Sequence, residues 1–267
     1  MTDDSFPIAD MYDHEILMHR NAHFGGSFQV MLDYYANEGK GVLPDFEPKR
    51  ILELKELQDK SAQNLSNLLL SPEEKVKVKK AKDKYLTLRS VYETPSSGEI
   101  PKLIADLILT ENAEAETEVA NLAAQGKKAV KPLIEIMQSD DFYNPLFPGY
   151  GQSPAYAAKC LGLIGDPIAI QPLFHALSHK DFFLEEAILE ALVLLGDEAR
   201  EFLLNALNKF PLTKENEQAA IALISFGDDE TTAKNCLHLL QRDDVRANRS
   251  LSTYLEIACH GLKGNCS

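Results

Sequence analysis

Apolar residues recur along this chain with a helical period rather than a strand period. Between Lys49 and Leu70 the stripe is Ile51, Leu52, Leu54, Leu57, Leu65, Leu68 and Leu69, which predicts an amphipathic helix over that span. Ser71-Pro72-Glu73-Glu74 then has the features of a helix start: a hydroxyl that can accept a backbone N–H, a proline at the first position and a glutamate three residues on. The helix it opens is predicted to reach about Tyr92. Thr94–Pro101 reads as a linker, and Lys102–Thr110 as a short helix that either begins the next region or caps it. Upstream, the segment 10–24 ends at Gly25-Gly26, a simple helix stop.

From about Glu116 the pattern copies itself. Gly126, Gly165, Gly196 and Gly227 each close a helical run, and Leu122, Leu161, Leu192 and Leu223 stand four residues before them. Two of the intervals are 31 residues and the first is 39. A fainter fifth copy places Ile257 four before Gly261, and Asp166, Asp197 and Asp228 follow three of the glycines. A glycine after an apolar run suits the left-handed conformation that ends a helix, and an aspartate after it can cap the next one. Each copy is therefore a pair of short antiparallel helices. One pair cannot cover its own apolar face, so the pairs must stack.

The stretch AlaAlaLysCysLeuGlyLeuIleGlyAsp followed by GluAlaIleLeuGluAlaLeuValLeuLeuGlyAsp, within residues 154–209, resembles HEAT-like repeats of the phycobilisome-lyase type, and the resemblance extends over about 116–267. It implies an all-α, right-handed α-solenoid of about four to five helix pairs, preceded by an N-terminal helical region, in a family used mostly to bind other proteins. The expected division is 1–97 for the helical region and 98–267 for the repeats. Many such repeats carry a Val-Arg pair early in the first helix. Here only Val245-Arg246 has it, and Leu184-Glu185 stands at a corresponding position.

Composition narrows the partner. At 267 residues and 45% hydrophobic the chain can bury a real core. Its net charge of −14 is uneven: −7 over residues 1–48, +4 over 49–97 and −11 over 98–267. The repeats would repel a phosphate backbone, which argues against nucleic acid. The first ten residues are acidic without a long apolar run, so no secretory signal is expected. The apolar stretches are short, so no membrane insertion is expected. Cys160, Cys236, Cys259 and Cys266 show no CxxC spacing, and a cytoplasmic protein with reduced thiols is the expectation.

Aligning the second helices brings Glu135, His175, Asn205 and His238 into one register, with Gln138, Ser178, Asn208 and Gln241 three residues later. Lys131, Gln171, Glu201 and Lys234 come four residues earlier. Such spacing puts each trio on one helical face. The strip is either a hydrogen-bonding groove for a protein or peptide, or the solvated side of amphipathic helices. The longer first interval holds a loop, Asp140–Gln152, with Phe142, Tyr143, Phe147 and Tyr150. Those rings either anchor a partner or tuck back over the neighbouring repeats.

Lys75, Lys77, Lys79, Lys80, Lys82, Lys84 and Arg89 make the helix after Ser71 basic; solvation or pairing with nearby acids is expected of them. His14, His19 and His23 carry the alternative reading, a metal-dependent enzyme or a lyase-type enzyme subunit. His19 and His23 lie one turn apart, but the pattern is not HExxH, and surface or capping roles are the expectation. Cys259–Cys266 matches no standard metal-knuckle spacing. The expected function is a non-catalytic protein-binding scaffold without a cofactor; the sequence is silent on oligomeric state.

Overall fold

The computed structural model describes residues 10–38, 44–96, 98–110, 115–179, 181–227 and 229–259. The described residues fold as helices and turns without a strand, and no described helix is long and apolar enough to cross a membrane. Residues 1–118 and 139–153 make one compact unit, and 119–138 with 154–267 make a second. The expected division at 97/98 follows a change in composition, whereas these units follow packing.

The first unit contains α1 (Met11–His23), α2 (Phe28–Glu38), α3 (Pro48–Ser61), α4 (Leu65–Leu69), α5 (Pro72–Glu93) and α6 (Glu99–Leu109). Helix α1 packs on α4 and α5, α2 on α3, and α5 on α6. At Ser71 the expected start holds: its hydroxyl accepts from Glu74 N at 3.2 Å and the Glu74 carboxylate accepts from Ser71 N at 2.7 Å. Gly25 and Gly26 stop α1 at φ of 60° and 79°. The single helix expected over Lys49–Leu70 is two. Ala62 turns left-handed at φ 52°, and the Asn64 side chain caps α4 by accepting from Ser66 N at 3.0 Å. The cause is visible in the sequence, because the seven residues 58–64 give the helix no large apolar side chain to bury.

The second unit is the repeat. Its first helices are α7 (Glu116–Ala123, whose first turn belongs to the first unit), α9 (Ser153–Ile164), α11 (Phe182–Leu194) and α13 (Lys214–Ile224). Its second helices are α8 (Lys127–Gln138), α10 (Ile170–Ala176), α12 (Asp197–Leu207) and α14 (Glu230–Leu239), with α15 (Asp243–Ala247) and α16 (Arg249–Ala258) after them. Gly126, Gly165, Gly196 and Gly227 lie at the same bend of each pair, with φ of 57°, 70°, 70° and 72°. A Cβ at any of them would meet nothing within 4 Å, so the bend asks for the left-handed backbone and not for room. Gly261, of the fainter fifth copy, lies outside the described residues.

Aspartate capping after these glycines holds once. Asp166 accepts from Ile168 N at 3.2 Å. At the next bend Gly196 is itself the N-cap, so Asp197 already lies in the first turn and pairs with Arg200 at 2.6 Å. Asp228 lies outside the described residues, and Asp229 caps α14 through Thr232 N at 2.7 Å.

The pairs lean on one another in order. The Cys160 thiol of α9 reaches Val119 O of α7 at 3.8 Å. Gly162 lets α9 approach α11 so closely that a Cβ there would stand 2.7 Å from Ala191 Cα. The Asn216 amide of α13 donates to the carbonyls of Ala206, Leu207 and Lys209, closing the end of α12. Helix α13 packs in turn on α16.

Candidate functional site

The second helices form a continuous row. Helix α8 packs on α10. Phe174 of α10 meets Phe202 of α12 edge-on, with ring centres 5.4 Å apart. From α12 to α14 the link is polar: Arg200 pairs with Asp229 at 2.9 Å, and Asn208 Nδ2 donates to Asn235 Oδ1 at 3.2 Å. Lys127 and Asp166 make a comparable bridge from the start of α8 to the next bend, at 3.5 Å.

On this row Glu135, Gln138, His175, Ser178, Asn205, Asn208, His238 and Gln241 are all exposed, as are Lys131, Gln171, Glu201 and Lys234 four residues earlier. The apolar residues between them turn inward: Leu133, Ile136, Leu173, Phe174, Leu203, Ala206, Cys236 and Leu239 are buried. Helical spacing separates the two sets, as the alignment implied. The strip can donate and accept hydrogen bonds, and it carries formal charge at only a few positions.

A second surface of the repeat unit was not found in the sequence. Along α11, Phe182, Glu185, Glu186, Leu189, Glu190, Val193 and Leu194, with Ser225 at the end of α13, line an open groove of about 720 Å³. Phe182 is 74% exposed and Leu194 57%, large apolar side chains in water. The signal was present: the sequence of α11 is apolar on nearly every side apart from its glutamates. Its buried stripe, Leu184, Ala187, Ile188, Ala191 and Leu192, uses one face alone, which repeat spacing by itself does not show.

The first unit gathers the remaining candidates. His14 does not join His19 and His23; its Nδ1 lies 2.9 Å from Glu74 Oε1. His19 and His23 stack with centres 5.5 Å apart, His19 also meeting Phe46 edge-on at 5.1 Å. Tyr150 lies against both rings. His23 Nε2 donates to the carbonyl of Leu146 at 2.8 Å, whereas His19 Nδ1 is buried without a partner. Burial pushes His19 down to about 3, with the charge of His23 adding to the effect, and burial lowers His23 as well. Both rings are therefore neutral near pH 7. No group of three His, Cys, Asp or Glu that could hold a metal occurs among the described residues.

The aromatic loop folds into this unit. Phe142 and Phe147 are buried, Tyr143 and Tyr150 half-buried, and Lys84 Nζ sits 4.7 Å over the Phe142 ring. Phe147 joins the apolar core of the first unit, beside Leu146. Gly149, Tyr150 and Gly151 run left-handed in succession, with φ of 84°, 49° and 84°. A Cβ on Gly149 would strike Ser153 Oγ at 2.0 Å and Ile108 O at 3.0 Å. The turn therefore aims Tyr150 at the histidines, where with His23, Tyr85, Arg89 and Tyr92 it lines a pocket of about 200 Å³.

Below the histidines the interior is polar. Asp13 is fully buried and receives two bonds of 2.7 Å from Arg50. Arg20, also fully buried, donates to Asn21, Gln58, Asn64 and Ser66 and lies 4.1 Å over the Phe28 ring. These partners are neutral, and burial lowers the guanidinium to about 10. Neither residue was singled out from sequence, since a charged side chain on a polar helix reads as solvated. The thiols of Cys160 and Cys236 are buried and pushed up to about 12, chiefly by burial. The metal-knuckle segment after Cys259 lies outside the described residues.

In comparison with known families, residues 152–224 are similar to the HEAT repeats family. No curated protein and no solved structure matches the chain. The matched stretch covers α9 to α13 and includes the bends at Gly165 and Gly196. The finer likeness to the phycobilisome-lyase type has no counterpart in that match.

Proposed function

We propose that this chain is a non-catalytic protein-binding scaffold, whose row of second helices holds a protein or peptide partner. One observation carries the reading. Eight polar positions predicted from register alone, of which Glu135 carries a full charge, are all exposed on or just after helices that touch in succession. A continuous face that can donate and accept suits an extended polypeptide, whose own backbone groups need partners. Stacked repeats commonly offer such surfaces to proteins.

The test places a photo-crosslinking amino acid at His175, Asn205 or His238, and at Glu198, Glu215 or Glu256 as exposed controls. In native cells, one discrete adduct should form from the strip positions and not from the controls. His175→Glu with Asn205→Glu should abolish that adduct, read at a crosslinking position on His238, while far-ultraviolet circular dichroism is unchanged. Equal labelling from both sets of positions would end the proposal.

A further inference from the structure

We propose that the exposed face of α11 is a second interface, one that takes a basic amphipathic helix of a partner protein. Helix α11 is apolar nearly all round, a pattern that ordinarily belongs to a helix covered on every side. Its inner stripe is covered by the repeat. Outside that stripe Phe182, Phe183 and Leu194 remain 74%, 64% and 57% exposed. Leu189 and Val193 extend the row, because positions 182, 186, 189 and 193 share one helical face.

Charge identifies the occupant. Glu185, Glu186 and Glu190 stand among these apolar side chains, and none pairs with a cation among the described residues. A purely apolar partner would bury part of each carboxylate without compensation, which is costly. A partner with lysine or arginine beside its leucines would pair them at the rim while its apolar stripe fills the groove. Apposing the same face of a second copy brings three carboxylates against three, so a symmetric dimer through α11 is disfavoured. The groove runs along a 13-residue helix, about 20 Å at 1.5 Å per residue, which suits a partner helix of roughly four turns. This site uses none of the strip residues, so the two proposals stand or fall separately.

The probe is a fluorescein-labelled 14-residue peptide of leucine and lysine, with leucines at helical spacing, titrated with the full chain by anisotropy. Its counterpart keeps the leucines and replaces every lysine by glutamate. The lysine peptide should bind and the glutamate peptide should not. Glu185→Lys, Glu186→Lys and Glu190→Lys together should weaken binding by about tenfold or more, as should the charge-neutral change Phe182→Ser alone, an exposed site that leaves the fold intact. The same change in net charge at Glu198, Glu215 and Glu256, all exposed elsewhere on this unit, should alter binding by less than about twofold at 0.15 M salt. His175→Glu with Asn205→Glu should leave the peptide bound, whatever it does to the strip. Equal weakening by the two triple variants would reduce the effect to net charge and overturn the proposal. Equal binding of the two peptides would overturn it too. So would self-association of the wild-type chain that the α11 triple variant removes, since the groove's occupant would then be a second copy, through a basic segment such as α5.

Discussion

In the first unit a carboxylate, a guanidinium and an imidazole lie inside the core, at Asp13, Arg20 and His19, together with Ser66 and Ser153. In the second, the buried polar side chains among the described residues are Asn216 and Thr232, and the interior is otherwise mostly alanine and leucine. The first unit has no copied pattern to fix its arrangement. Directional bonds do that work instead, since Arg20 is satisfied only when α1 meets Gln58, Asn64 and Ser66 together. The repeat unit fixes its arrangement by periodicity: the same left-handed bend, the same inward apolar stripe, and a small-residue crossing at Gly162. Buried charge is thus a device for an irregular core, and repetition makes it unnecessary.

The contrast can be broken most forcefully with acid. His19 binds its proton less readily in the fold than when unfolded, because burial disfavours its charged form. Above about pH 6.5 both forms are neutral and the group contributes nothing to pH dependence. As pH falls from 6.5 toward 3, the unfolded chain takes up a proton that the fold refuses, and stability is lost across that window. The lowered value of about 3 corresponds to roughly 5 kcal/mol at the acid end. His23, lowered in the same direction, adds to it. Hydrogen exchange followed at decreasing pH should show residues 10–110 opening before 154–259, and His19→Phe should flatten that dependence. Simultaneous opening in the two regions would mean that the buried histidines do not distinguish them.

The next effect belongs to the repeat. Gly162→Ala puts a methyl group against the Ala191 backbone, which cannot move aside as a flexible side chain could. Overpacking of this kind should cost about 2–3 kcal/mol, seen as a lower urea midpoint and faster exchange in α9 and α11. Unchanged exchange there would show that the two helices can separate freely. The smallest effect sharpens the idea of equivalence. Alanine at Gly126, Gly165, Gly196 or Gly227 should cost about 1–2 kcal/mol, and similar amounts at each, because only the backbone conformation is at stake. Costs differing severalfold among the four bends would mean that the repeats are alike in shape only.

Legibility in the sequence followed the same divide. The bends, the row of second helices and the exposed strip were readable because repetition aligns residues that share an environment. The capping box at Ser71 was readable because its bonds are local. The break at Ala62 was missed, although the polar gap after Leu57 announced it. Asp13, Arg20 and the meeting of Tyr150 with His19 and His23 were out of reach. Those contacts join residues 37 to 131 positions apart, and no local pattern encodes them. The α11 groove lay between these cases, since composition marked the helix as over-apolar but only burial told which face was left uncovered.

The empty surroundings of the four glycine bends have a stereochemical consequence. What excludes an alanine there is its handedness, because an L-residue resists the backbone angles while its methyl group would find open space. The mirror-image residue prefers those same angles. D-Alanine introduced by chemical ligation at Gly165 or Gly196 favours those angles and gives the unfolded chain fewer conformations to escape into, so a raised urea midpoint is expected of it where its L-twin lowers the midpoint.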